Sequence, residues 1–294
     1  MANLSIQPNE HITYKIYHED SQVLVVNKPS GIVSTPGKGH DRNTLLNGLF
    51  AKYGTRLQNV GKDRDFGLLH RLDRTTSGLL MVALTPSAYE ALRADFAARK
   101  IAKFYWAITK GAPKEPKGLI KRSILEYKGE TGGDDRIKKI ARVSQSGKPA
   151  LTAYRVIATS TMASLIECRA VTGRLHQIRV HLDSIGCPIL GDEMYGPTSI
   201  RDAAPRLALH AHRISFTHPA SGSIIDVHSP WPPDLRNLLT QTSLPRPDLI
   251  PKPEPAVQGA EADPTDLSAD DASIESELAH EQSSDDENGS EDLE

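Results

Sequence analysis

Short strand-forming runs joined by tight turns dominate this chain, and few segments carry helical spacing. That imbalance excludes the regular βαβ alternation of a doubly wound sheet and restricts the chain to sheet-rich α+β architectures. Residues 16–18 and 23–26, separated by Glu19-Asp20-Ser21, read as a hairpin. Residues 78–84 form a continuous apolar run, the pattern of a buried central strand. Further strands are predicted at 104–109, 151–158 and 165–171. A second hairpin is predicted from 207–217 and 223–228 around His218-Pro219-Ala220-Ser221-Gly222. Thr85-Pro86 is a helix start, with Thr as N-cap and Pro in the first turn, and Tyr89, Leu92 and Phe96 continue at helical spacing. Residues 175–185 read as a helix that stops at Gly186. The expected fold class is α+β, with a large mixed, mostly antiparallel sheet flanked by helices and loops.

Charge divides the chain. Its 35 Lys and Arg face 37 Asp and Glu, but 15 of the acids lie in residues 253–294, where no basic residue occurs. Residues 1–252 thus carry 35 basic against 22 acidic groups, a balance that suggests a polyanionic partner such as nucleic acid. Pro245, Pro247, Pro251, Pro253 and Pro255 mark the boundary. The expected organisation is an extension over 1–12, one domain over 13–244, and a disordered proline-rich, then acidic tail over 245–294. No apolar run approaches the roughly 18 residues of a membrane span, and no secretory signal is visible. A soluble, cytoplasmic monomer without membrane contact is the expectation. Cys168 and Cys187, the two cysteines, exclude a disulfide scaffold and a CxxC-type zinc site. His210, His212, His218 and His228 lack a Cys, Asp or Glu at ligand spacing, so no metal is expected. The loop 27–40 contains Gly37-Lys38-Gly39 without the Ser or Thr of a phosphate-cradling loop, and no dinucleotide fingerprint occurs, so no cofactor is expected.

The most informative stretch is Leu69-His70-Arg71-Leu72-Asp73-Arg74-Thr75-Thr76-Ser77-Gly78-Leu79-Leu80. It holds one carboxylate between two arginines, just before the buried apolar run. Flanking cations favour the charged form of a carboxylate, which suits a nucleophile or base, although a surface salt-bridge cluster has the same pattern. The string resembles the His-Arg-Leu-Asp signature of the RluA-type pseudouridine synthases, a family of RNA-modifying enzymes. Val25-Val26-Asn27-Lys28-Pro29-Ser30-Gly31 is similar to the family's strand-to-loop element. Lys103-Phe104-Tyr105-Trp106-Ala107 resembles its tyrosine-bearing strand. Thr172-Gly173-Arg174-Leu175-His176-Gln177-Ile178-Arg179-Val180-His181 resembles its Gly-Arg-x-His-Gln-x-Arg segment, and Gly186-Cys187-Pro188-Ile189-Leu190-Gly191-Asp192, Arg206-Leu207-Ala208-Leu209-His210-Ala211 and His218-Pro219 follow in order. The resemblance spans roughly residues 13–232. Residues 112–148, rich in lysine, align with none of these motifs.

The resemblance implies isomerisation of uridines in tRNA, 23S-type ribosomal RNA, or both, without cofactor or metal. It carries the catalytic aspartate onto Asp73 and the active-site tyrosine onto Tyr105. Arg174 is expected to form the ion pair that holds Asp73. Arg71 is expected to enter the base stack when the target uridine flips out, and His70 to support the loop. His70, Arg71, Arg74, Lys103, Gln177 and Arg179 are together expected on the RNA-binding side. No S4 domain is expected ahead of the first strand, so substrate capture falls to the catalytic domain. Two other readings fit the residues: a non-catalytic RNA-binding or ribosome-assembly factor on the same fold, and a nucleosidase-like hydrolase that would release uracil.

Overall fold

The structure, a computed structural model, describes residues 4–37, 39–61, 65–130 and 137–249. Its centre is a nine-stranded sheet. Strands β1 (Lys15–Glu19) and β2 (Val23–Lys28) form the predicted N-terminal hairpin, with Ile16 opposite Val26. Helix α1 (Leu45–Leu57), strand β3 (Ser77–Ala83), helix α2 (Pro86–Ala97) and strand β4 (Ala102–Thr109) follow. Next come β5 (Lys117–Lys121), β6 (Ile124–Glu130), β7 (Ile137–Val143), β8 (Leu151–Thr159) and β9 (Ser164–Ala170). Helices α3 (Gln177–Ser184) and α4 (Thr198–Arg201), strands β10 (Leu209–Thr217) and β11 (Ile224–His228), and helix α5 (Arg236–Gln241) complete the body. The strand order is β1-β2-β3-β10-β4-β9-β8-β5, with β11 paired to β10. Only β3 and β10 run parallel; every other pair is antiparallel, giving the mixed α+β sheet expected.

Period-2 alternation sorts the core onto both faces of the sheet. Leu24, Val26, Leu80 and Val82 pack in one cluster with Leu45, Leu49, Phe50 and Tyr53 of α1. Val23, Val25, Leu79 and Met81 pack in another with Leu92 and Phe96 of α2. A strand covered by helices on both sides must be apolar at every position, which is why β3 reads as an unbroken run.

Several elements differ from the sequence expectations. Helix α1 has no counterpart there. It starts with a capping box in which Thr44 and Asn47 exchange bonds at 3.0 and 3.3 Å, with Asn where Glu or Gln is usual. Gly48 and Gly54 further weaken its local helical signal. Residues 112–148 prove to contain β5 and a separate two-stranded sheet, β6–β7, whose register pairs Ile124 with Val143 and Tyr127 with Ile140. Lys128, Lys139 and Arg142 there are exposed, while Ile124 and Ala141 are buried, so no sustained alternation marks these strands. The N-terminal extension joins the body: Leu4 and Ile6 pack against the core and the Asn9 N–H donates to the Asn47 carbonyl at 3.0 Å. The ordered body runs past 244, through a buried Pro247 in a short turn at Pro247–Leu249. The expected disordered tail otherwise lies outside the described residues.

One glycine fixes how the central strands meet. Gly78, at φ +122°, pairs with Ala211 across the parallel β3–β10 junction. A Cβ there would collide with the Ala211 backbone carbonyl. Gly78→Ala is therefore expected to cost about 2–4 kcal/mol, combining a disfavoured φ with a backbone clash. Gly31→Ala, also at positive φ (+88°) but facing open space, should cost only about 1 kcal/mol. Urea denaturation of the two variants beside the wild type checks the difference; equal losses would remove the packing argument.

Candidate active site

The segment from His70 to Thr76 crosses between the end of α1's connection and β3, and the loop after β2 clamps it. Ser34 Oγ accepts the Leu72 N–H at 3.2 Å and lies 3.1 Å from the Leu72 carbonyl, to which it donates. The Gly31 N–H donates to the Arg74 carbonyl at 2.8 Å, and Ser30 Oγ donates to the Thr75 carbonyl at 2.7 Å. Lys28, fully buried at the end of β2, donates to the carbonyls of Pro29, Ile32 and Arg74 at 3.0, 2.8 and 3.3 Å. Burial pulls the Lys28 pKa down to about 7; the nearby Asp73 opposes this and Arg206 adds to it. Within the segment the Thr76 N–H closes a turn on the Asp73 carbonyl at 3.1 Å. A loop without regular structure is held by backbone bonds at both flanks of Asp73.

Asp73 lies partly exposed at the sheet's edge of this clamp, with its side chain 23% accessible. Arg179 Nη1 donates to Asp73 Oδ2 at 3.3 Å. The same guanidinium makes a bidentate pair with Asp192, Nε to Oδ2 at 2.7 Å and Nη2 to Oδ1 at 2.8 Å. Burial disfavours the Arg179 charge, but the Asp192 bonds and the charges of Asp192 and Asp73 outweigh it and hold the pKa above its ordinary value. Asp192 Oδ1 also accepts the N–H groups of Met194 and Tyr195 at 2.9 and 3.1 Å, tying the loop after α3 to the same arginine. Tyr195 lies beneath the guanidinium, 4.9 Å from Cζ to ring centre.

Tyr105 sits in the middle of β4, opposite Cys168 on β9 and Ala211 on β10. Burial raises its pKa and the Asp73 charge raises it further, so the phenol stays protonated at neutral pH. His70 joins the loop to β3: its Nε2 accepts the Met81 N–H at 3.0 Å and its ring packs 5.3 Å from Phe96. Burial, reinforced by Lys103, pulls its pKa down to about 3, which fixes the neutral, Nδ1-protonated form. Lys103 Nζ lies 5.3 Å from the Phe96 ring centre. Arg71 is exposed, and Arg74 reaches back with Nε to the Gly31 carbonyl at 3.2 Å.

The structure corrects three sequence expectations. Arg174 does not pair with Asp73; its Nε donates to the Pro149 carbonyl at 3.1 Å, and Arg179 takes the expected place. The reason is the backbone at His176, left-handed at φ 52°, which turns the chain so that α3 starts at Gln177 and aims Arg179 inward. Arg179 is buried and belongs to the ion pair, not to an RNA-facing surface. Gln177 is likewise buried: its Oε1 accepts from Thr172 Oγ1 and the Arg174 N–H at 2.7 and 3.0 Å, and its Nε2 donates to the Leu151 carbonyl and Thr152 Oγ1 at 2.9 Å each. Every polar group of that amide is used to shape the loop. Of the site's other neighbours, Lys28, His176 and Asp192 lie in the quoted motifs without an assigned role, and Tyr195 lies outside them. A charged residue inside a strongly apolar stretch, as Arg179 is between Ile178 and Val180, was the available signal, because such a charge needs a buried partner.

Comparison with known proteins fits this geometry. Residues 22–184 match the family described as RNA pseudouridylate synthase. An RNA pseudouridine synthase of Bacillus subtilis is 36% identical over 255 residues, covering 81% of each chain. The ribosomal large subunit pseudouridine synthase D of Zymomonas mobilis is 39% identical over 240 residues, covering 78% of this chain and 73% of that protein. The solved structure of human RNA pseudouridylate synthase domain containing 4 aligns at a TM-score of 0.61 with 26% identity, covering 79% of this chain and 94% of that one. The chain belongs to the RNA pseudouridylate synthases of the RluA type, a class of isomerases.

The contrast between the two arginines is directly testable. Arg179→Ala strips the buried Asp192 carboxylate of its partner and should cost about 3–5 kcal/mol in a guanidinium melt. Arg174→Ala, which loses one partly exposed bond to a carbonyl, should cost less than about 1 kcal/mol. Comparable losses for both would reject the assignment of Arg179 as the buried anchor.

Proposed function

We propose that this protein isomerises specific uridines in RNA to pseudouridine, with Asp73 as the catalytic carboxylate. The observation that carries the reading is Asp73 itself: a carboxylate open on one side, held on the other by Arg179 at 3.3 Å, in the loop bearing the family signature. In the reaction the C1′–N1 bond breaks, the uracil turns, and a C1′–C5 bond forms. The C5 proton leaves and N1 regains one, so atoms and electrons balance without an oxidant or reductant. Asp73 serves either by attacking C1′ or by removing the C2′ proton, and both routes need the charged carboxylate in a fixed position. Tyr105, neutral and buried, supplies an apolar face against the uracil. Ribosomal RNA of the large subunit is the favoured substrate class, since relatives at 39% and 40% identity are named for it; tRNA is the second.

Arg71 is an exposed cation two residues before Asp73. A base held in a stack must leave it before chemistry, at a cost of a few kcal/mol, and a guanidinium plane can fill the gap. Arg74 and Lys103, flanking the same loop, are proposed as RNA contacts, and the cytoplasm as the place of action.

Asp73→Asn should lower turnover by about three orders of magnitude or more while changing the Kd for RNA less than about threefold. Tritium release from C5-labelled RNA beside a filter-binding titration measures both. Asp73→Asn turnover near wild type would reject the assignment, and free uracil in the wild-type reaction would indicate hydrolysis instead. Arg71→Ala should slow turnover about 10- to 100-fold on a stem-loop and far less on an unstructured oligonucleotide, because only the stacked uridine needs its place filled. Equal losses on both would reduce Arg71 to a phosphate contact.

A further inference from the structure

The two oxygens of Asp73 have different surroundings. Oδ2 takes the Arg179 bond, whereas Oδ1 faces His176 Nε2 at 4.0 Å. His176 is the residue in the left-handed turn before α3, and its other nitrogen, Nδ1, lies 2.7 Å from the Tyr195 hydroxyl. That hydroxyl also accepts the Ala141 N–H of β7 at 3.1 Å. The chain of contacts thus runs from the β6–β7 sheet through Tyr195 and His176 to the carboxylate.

This geometry selects one tautomer. A phenol hydroxyl has one proton to donate. With Ala141 donating into its oxygen, the Tyr195 proton finds its acceptor in His176 Nδ1. The single proton of the neutral imidazole then sits on Nε2, pointing at Asp73 Oδ1. The opposite tautomer would aim the Nε2 lone pair at a carboxylate and leave the Tyr195 proton without that acceptor. The imidazole also stays neutral. Burial lowers its pKa; Asp73 opposes this, Arg179 adds to it, and Asp192 and Glu126 oppose it weakly. These groups, with Tyr195, face the ring from the catalytic loop, from α3, from the loop after α3 and from β6. Tyr195 is kept protonated, its pKa pushed up to about 12 by burial.

We propose that His176 is a positioning residue for the isomerisation: a neutral Nε2–H donor, its tautomer set by Tyr195, that orients Asp73 Oδ1 as the reacting oxygen. The inference rests on the reading of Asp73 as the catalytic carboxylate. A cation already compensates Oδ2, so a second full positive charge at Oδ1 would blunt its reactivity. A neutral donor at 4.0 Å directs the oxygen yet leaves it open to the sugar. The distance lies beyond a hydrogen bond, so the contact is available to tighten as the nucleotide is bound. Tyr195 in turn makes this orientation depend on the seating of β7 through Ala141.

The test uses the full-length protein. Asparagine tolerates the left-handed backbone at 176, so His176→Asn keeps the turn and removes the imidazole. It should reduce kcat about 10- to 100-fold, the worth of a hydrogen bond to a charged group, with KM for RNA within about twofold. Tyr195→Phe releases Nδ1 to bind a proton. Its kcat should begin to fall at a higher pH than that of the wild type on the acid side, because the ring loses the donor that keeps Nδ1 unprotonated and becomes a cation more readily. Nitrogen-15 NMR of the wild-type ring should find Nε2 protonated and Nδ1 bare from pH 6 to 8. An Nδ1–H tautomer, a His176→Asn kcat within twofold of wild type, or a Tyr195→Phe profile parallel to wild type would each overturn the proposal. If His176→Asn fails to fold, the tautomer and the Tyr195→Phe profile decide alone. Asp73→Asn run alongside separates the two readings: substantial activity there rejects the catalytic carboxylate, whereas an inactive Asp73→Asn with unaffected His176 variants rejects only the positioning role.

Discussion

The buried guanidinium of Arg179 is the interaction on which the site depends. A cation with only 4% of its side chain accessible is tolerated only when its donors and its charge are matched. Asp192 does most of that matching through two parallel bonds, and in doing so fixes the loop after α3 by accepting two backbone N–H groups. The third nitrogen, Nη1, is then left pointing at Asp73. A monodentate pair at 3.3 Å beside a bidentate one at 2.7–2.8 Å gives unequal strengths. The strong pair is structural and permanent. The weaker one holds a carboxylate without consuming both its oxygens.

Around that pair the sheet supplies rigidity and the loops supply chemistry. The parallel contact of β3 with β10 at Gly78 and Ala211 brings the strand that follows Asp73 against the strand that neighbours Tyr105. Two groups from distant parts of the sequence are thereby fixed relative to one another by backbone pairing, not by flexible side chains. The loop after β2 completes the hold: Lys28 gathers three carbonyls, one of them the Arg74 carbonyl that also accepts the Gly31 N–H beside the carboxylate.

Much of this was legible in the sequence where a residue's neighbours in the chain are also its neighbours in space. The hairpins, β3, and the Thr85 cap of α2, whose hydroxyl accepts the Ala88 N–H at 3.2 Å, follow from local pattern. The family motifs located Asp73, Tyr105 and the His176–Arg179 segment. Which arginine meets Asp73 was not legible, because it depends on a single left-handed residue, His176, and helical phase changes by about 100° with each position. Gln177 misled for a related reason: a polar side chain in a motif reads as a ligand contact until its four bonds are seen to end within the protein. Helix α1 was hidden by an unusual cap and two internal glycines, and β6–β7 by charged residues scattered through both strands without regular alternation.

The basic residues divide into two populations by what they are bonded to. Lys28 and Arg179 are buried, with donors directed to carbonyls or carboxylates of the protein itself. Arg71, Lys128, Lys139 and Arg142 lie exposed on the loop and on the small sheet. Net charge alone cannot separate these groups, although they act through different physics. Exposed cations gain from counterion release when a polyanion approaches, a gain that fades with salt. Buried ones act at short range in a medium that screens little, so their effect on a carboxylate persists at any ionic strength the fold survives. A site with both can lose RNA affinity in high salt while the geometry around Asp73 stays intact. Salt response and site geometry are thus separable properties of one basic domain, because the exposed cations are not those that orient the carboxylate.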